Sequence, residues 1–168
     1  MKGLRMTNLR RLLSGERVTS RGNASMEFAL VLPLLATMMF ILLESGYLFY
    51  SYVTVQKAAH IGARFAVTGQ GEQEGNRLQL IKEEALELTG NLRGSSDVYV
   101  RSWEGTNTTG EGREENPGRP CDVVEVEVQS QYEALIPLLE PILSGLTLDG
   151  VDRKVNEPWI PCEKDRQT

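Results

Sequence analysis

Residues 21–50 read RGNASMEFALVLPLLATMMFILLESGYLFY, and the apolar run at 28–43 inside this stretch decides the fold. Sixteen helical residues rise about 24 Å, short of the roughly 30 Å of a bilayer's hydrocarbon core. A membrane helix here must therefore borrow Met26 on one side and Tyr47, Leu48, Phe49 and Tyr50 on the other. Aromatic residues at 47, 49, 50 and 52 suit an interfacial belt. Two features stand out against this background: Glu27 immediately before the run and Glu44 immediately after it.

Charge gives the helix a direction. Residues 1–22 carry six basic groups against Glu16, a balance of +5, whereas 23–168 carry 12 basic and 22 acidic groups, a balance of −10. Lys and Arg favour cytoplasmic flanks, so residues 1–22 are expected in the cytoplasm and the acidic remainder outside. A buried helix of a soluble protein would not need a polybasic leader before so continuous an apolar run. A cleaved secretory signal fits poorly, because ESGYLFYSY after Leu43 holds no small-x-small site. An uncleaved signal anchor carrying a periplasmic binding domain remains open.

The local pattern favours something more specific. Gly22, four residues, Glu27-Phe28 and then an apolar helix is the arrangement of a prepilin, cut after the glycine on the cytoplasmic side. A glycine admits an extended backbone to a proteolytic cleft and is expected to break the helix that starts beyond it. Cleavage would make Asn23 the first residue and Glu27 the fifth. The new α-amino group of a neighbouring subunit could then pair with Glu27 instead of leaving a carboxylate unpaired at the membrane.

Residues 21–68 resemble the N-terminal region of the TadE-like pilins of the tight-adherence (Tad/Flp) pilus system. The resemblance rests on MEFALVLP at 26–33, on Glu44 and Gly46 before Phe49-Tyr50, and on Gln56, Ala58, Ala59 and Gly62-Ala63-Arg64. Further on it is loose, carried by a strand pair near the C-terminus and by Glu157-Pro158. It implies a minor pilin or pseudopilin, processed by a prepilin peptidase, held in the inner membrane and working with other Tad pilus subunits. Major subunits of such pili are little more than the apolar helix, whereas removing residues 1–22 from 168 would leave 146.

The expected organisation is a leader at 1–22, a transmembrane helix at 23–50, a helical stalk at 51–70 and a periplasmic α+β domain at 71–168. The stalk has small residues in two rows, Ala58, Gly62 and Ala66, and Ala59 and Ala63. Such rows let another helix approach, from a neighbouring subunit or from the chain's own domain. Thr68-Gly69-Gln70-Gly71 should end the helix. Pro33 should bend it, and Glu44 should either reach the outer interface or make an intersubunit contact.

A second helix is predicted at 76–88, its apolar face marked by Leu78, Ile81, Ala85 and Leu88. Alternation then predicts antiparallel strands near 97–103, 122–130 and 147–155, with Val124, Val126 and Val128 set against Glu125, Glu127 and Gln129. The polar stretch 105–120 is too poor in apolar residues to pack and is expected to be a mobile loop. The block at 135–143, broken by Pro137 and Pro141, is expected to continue a strand into a helical turn and to pack in the core, although it is apolar enough to rest on a membrane.

Catalytic chemistry has no foothold in this pattern. There is no nucleophile elbow, no metal-spaced His/Cys set and no P-loop, so no catalytic residue, metal, cofactor or small-molecule substrate is expected. The acidic balance also argues against nucleic acid. Lone His60 is expected to be solvated or packed. Cys121 and Cys162 are the only two cysteines; outside the membrane they are expected to form a disulfide, the alternatives being two free buried thiols or an intermolecular link.

Overall fold

The computed structural model describes residues 21–162, with side chains from residue 24 onward. The leader up to residue 20 lies outside the described residues. The elements are α1 (Arg21–Ala66), α2 (Arg77–Thr89), β1 (Ser96–Trp103), β2 (Arg113–Glu114), β3 (Val123–Gln131), α3 (Glu140–Leu143) and β4 (Thr147–Val155). Two compact units divide after Phe40, and α1 contributes to both.

The first unit is described here by residues 21–40, all within α1. The helix includes Gly22 and Asn23, so the expected break at the glycine does not occur. One glycine costs a helix only about 1 kcal/mol, which a long run of Leu, Met and Ala beyond it outweighs. Pro33 lies inside the helix, and the Thr37 hydroxyl donates to the Pro33 carbonyl at 2.8 Å. Leu30, Leu32, Leu34, Leu35, Met38 and Met39 are all exposed. Ala24–Ala66 forms a helix long and apolar enough to cross a membrane.

The second unit, from Ile41 onward, is an α+β domain. Its sheet has the order β2-β1-β3-β4, antiparallel throughout. The register sets Val98 opposite Val128 and Val100 opposite Val126, so alternate valines of β1 and β3 share one face. That face meets Val55, Ala58, Ala59, Ala63 and Ala66 of α1 and Ile81 and Ala85 of α2. Small residues on α1 let both partners come close. A Cβ on Gly62 would stand 3.0 Å from the Ala85 Cβ and 3.1 Å from the Val126 Cγ1, and one on Gly150 would stand 2.6 Å from the Val55 carbonyl oxygen.

On the opposite face Glu125 is buried between two cations. Arg101 reaches it at 3.5 Å, Arg153 also pairs with it, and the Arg153 guanidinium lies 5.0 Å from the Trp103 ring centre. Cross-strand register brings Arg101, Glu125 and Arg153 into one row.

Segment 105–120 packs more closely than its composition suggests. It contains β2, which pairs with Arg101 and Ser102 of β1, and the Trp103 indole N–H donates to the Gly110 carbonyl at 3.0 Å. Asp122 accepts from the N–H of Gly105 and of Arg119 at 2.9 and 2.8 Å. Buried Arg77 donates to the carbonyls of Gly118 at 2.7 Å and Ala66 at 2.8 Å, and the Trp159 ring lies 4.6 Å from its guanidinium carbon. Polar side chains thus hold the segment where apolar ones are lacking. Cys121 and Cys162 form a disulfide, with their Cα atoms 6.0 Å apart.

The block at 135–143 departs in large part from the expected core role, with Leu143 alone of its residues packed against the core cluster. β3 ends at Gln131, and the chain turns through Leu139 N–H to Ile136 carbonyl and Ile142 N–H to Leu139 carbonyl bonds into α3. Tyr132 and Ala134 are buried, but Leu138 is 71% and Ile142 is 78% exposed. Two prolines prevent a strand ladder here, and the valines of β1 and β3 have already filled the core.

Candidate functional site

Glu44 is the centre of a buried polar cluster between α1 and the 132–136 segment, and it and all of its partners lie in the second unit. The helix carries Glu44 directly behind Leu43, and the carboxylate is only 4% exposed. Its Oε1 accepts from the Tyr132 hydroxyl at 2.6 Å and from the Leu135 N–H at 3.0 Å; its Oε2 accepts from the Ile136 N–H at 2.9 Å. A carboxylate removed from water is tolerable only when such donors replace the lost hydration.

The same backbone is gripped from the other side. Arg93 Nη1 donates to the carbonyls of Ala134 and Leu135, both at 3.2 Å, while the Arg93 backbone N–H donates to the Tyr47 hydroxyl at 2.9 Å. The Tyr47 and Tyr132 rings pack with centres 5.8 Å apart. Burial, together with the neighbouring Glu44 carboxylate, raises the Tyr132 pKa well above that of an ordinary phenol, so its hydroxyl keeps its proton and remains a donor. Glu44 therefore does not reach out to water; it fixes the start of the 132–136 segment to α1.

The other residues singled out from the sequence lie apart from this cluster. Glu27 and Phe28 are exposed on α1 in the first unit, and Gly22 and Asn23 are in the helical backbone before them. Ala58 is fully buried, and Gly62 abuts Ala85 and Val126, so both positions face the chain's own domain. His60 is exposed, with Nδ1 2.8 Å from Asp152 Oδ2.

Residues 22–64 match the family described as TadE-like protein. The match is nearly coextensive with α1 and includes Glu27, Glu44, Ala58 and Gly62. Tyr132, Arg93, Arg77 and the two cysteines lie beyond the TadE-like segment. No curated protein and no solved structure matches the chain significantly. The TadE-like segment suggests a Tad pilus-associated protein, and the long apolar helix is compatible with a single-pass membrane anchor.

Sequence reasoning missed Tyr132 and Arg93. Tyr132 is 88 residues from Glu44 and follows the end of a strand, where an aromatic residue has many ordinary uses. The available signal was Glu44 itself: a carboxylate at the edge of an apolar helix needs donors, but its position does not say which.

Proposed function

We propose that the chain is a minor pilin or pseudopilin of the Tad pilus system, a structural component that supports pilus assembly from the inner membrane. The observation that carries this reading is the TadE-like match over 22–64, which spans both the glycine of the cleavage pattern and the apolar helix. In this reading the basic leader stays in the cytoplasm, α1 crosses the membrane once, and the α+β domain lies outside. A prepilin peptidase cuts after Gly22, and the α-amino group of Asn23 in one subunit pairs with Glu27 of another. Because α1 includes Gly22, the first turn has to unwind to enter the peptidase, a small demand at a glycine. Ala58, Gly62 and Glu44 are given to packing within the chain, which leaves Glu27 as the charged assembly contact.

Intact-mass measurement of the membrane-extracted protein tests the reading. A chain starting at Asn23, and accumulation of precursor in Gly22→Val, are the expected results. A chain retaining residues 1–22 would instead favour an uncleaved signal anchor bearing a periplasmic binding domain.

A further inference from the structure

The exposed apolar turn at 135–142 sits where Glu44 pins it, beside the end of the apolar helix. Ile41, Leu42 and Leu43 belong to the same unit as this turn and are exposed, as are Leu138 and Ile142. The carboxylate that follows Leu43 holds the N–H groups of Leu135 and Ile136, so the turn cannot lie far along the helix axis from Leu43. If α1 enters the hydrocarbon near residue 27, about 30 Å of core ends near residue 47, beyond Glu44. The carboxylate is then at lipid depth, and the 132–136 segment is what shields it.

We infer that residues 135–142 form a second membrane contact, a monotopic wedge that enters the outer leaflet beside α1 with Leu138 and Ile142 in the acyl boundary. Leu138 stands in the turn that leads into α3 and Ile142 within α3, and both side chains are left exposed. Arg93, exposed and bonded to the carbonyls of Ala134 and Leu135, stands at the height of the lipid phosphates. The occupant is the bilayer itself: the turn is continuous with the surface of the helix that spans it, and it covers a carboxylate that lipid would otherwise meet. This inference rests on α1 being a membrane span. It places the domain directly on the membrane surface instead of on a free helical stalk.

The test uses the full chain in nanodiscs holding one chain each, made of three parts phosphatidylcholine to one part phosphatidylglycerol. Because the native cysteines are paired, Leu35→Cys, Ile142→Cys and Thr108→Cys each supply a single free thiol for a nitrobenzoxadiazole label. Acyl-chain spin-labelled lipid should quench both the Ile142 and the Leu35 labels at least twofold and leave the label on the exposed loop at Thr108 unchanged. Quenching at Leu35 with Ile142 behaving like Thr108 would overturn the wedge while leaving the span intact. No quenching at Leu35 would overturn the span and the wedge with it. Protection of Ile142 from aqueous iodide only in discs holding two chains would assign the turn to a second copy and also overturn the wedge.

Discussion

Glu44 and Tyr132 are 88 residues apart in the chain and share a 2.6 Å hydrogen bond in a site closed to solvent. That bond, with the two N–H donors of Leu135 and Ile136, joins α1 just past its apolar run to the loop that follows β3. Replacing Glu44 by Ala orphans three donors, and the domain should lose about 2–4 kcal/mol. Tyr132→Phe removes one donor to a charged acceptor and should cost about 1.5–3 kcal/mol. Urea unfolding of the detergent-solubilised chain measures both. In the double variant the losses should fall short of their sum, and strict additivity would mean that the two side chains do not act as a pair.

Gly62 gives a second prediction. Any side chain there meets Ala85 and Val126, so Gly62→Leu should destabilise the isolated chain by about 1–3 kcal/mol through overpacking. A surface reserved for a neighbouring subunit would behave differently: assembly would suffer and the thermal midpoint of the solubilised monomer would not move.

The disulfide closes a sequence separation of 41 residues between Cys121 and Cys162. In the chain-entropy picture, opening such a loop removes roughly 4 kcal/mol. The Cys121→Ser, Cys162→Ser double variant should show a lower urea midpoint and a looser tail at Trp159, whose ring otherwise stacks on Arg77. Alkylation of the unreduced wild type followed by mass analysis should find no modified thiol; two alkylated cysteines would contradict the bridge.

Glu27 tests assembly at the other end of the helix. Glu27→Gln removes charge while keeping shape, so removal of residues 1–22 should proceed while co-purification with pilus subunits falls. Unchanged co-purification and pilus yield would eliminate the pairing of Glu27 with a neighbour's α-amino group.

Much of the domain is legible in the sequence because its signals are local. The period-two valines of 124, 126 and 128 mark the central strand, the predicted 147–155 coincides with β4, and the second helix is displaced by a single residue. The features that escaped depend on distant partners or on competition for space. Two residues of β2 carry too little pattern to register, and their position is fixed by pairing with Arg101 and Ser102. The small residues of α1 announce a close approach, but nothing in their spacing says whether the approaching surface is a neighbour or, as found, Ala85 and Val126. Leu138 and Ile142 are apolar in any context; only a core already filled by valines leaves them outside. Glu44 was visible as an anomaly, and its donors, set by tertiary folding, were not.

The course of β4 along α1 has a mechanical consequence. Gln56 donates to the Asp149 carbonyl at 2.9 Å, His60 meets Asp152 at 2.8 Å, and just past the ends of both elements the Glu157 N–H donates to the Val67 carbonyl at 3.1 Å, so strand and helix advance in the same direction, rung by rung. A tension applied along the axis of α1 therefore loads these rungs in shear, sharing the force among them, whereas a strand attached at one end would be peeled open in sequence. In an optical trap with handles at Ile41 and on β4 near Val155, the domain should yield in one abrupt rupture. A staircase of small extensions would show that the rungs carry the load singly.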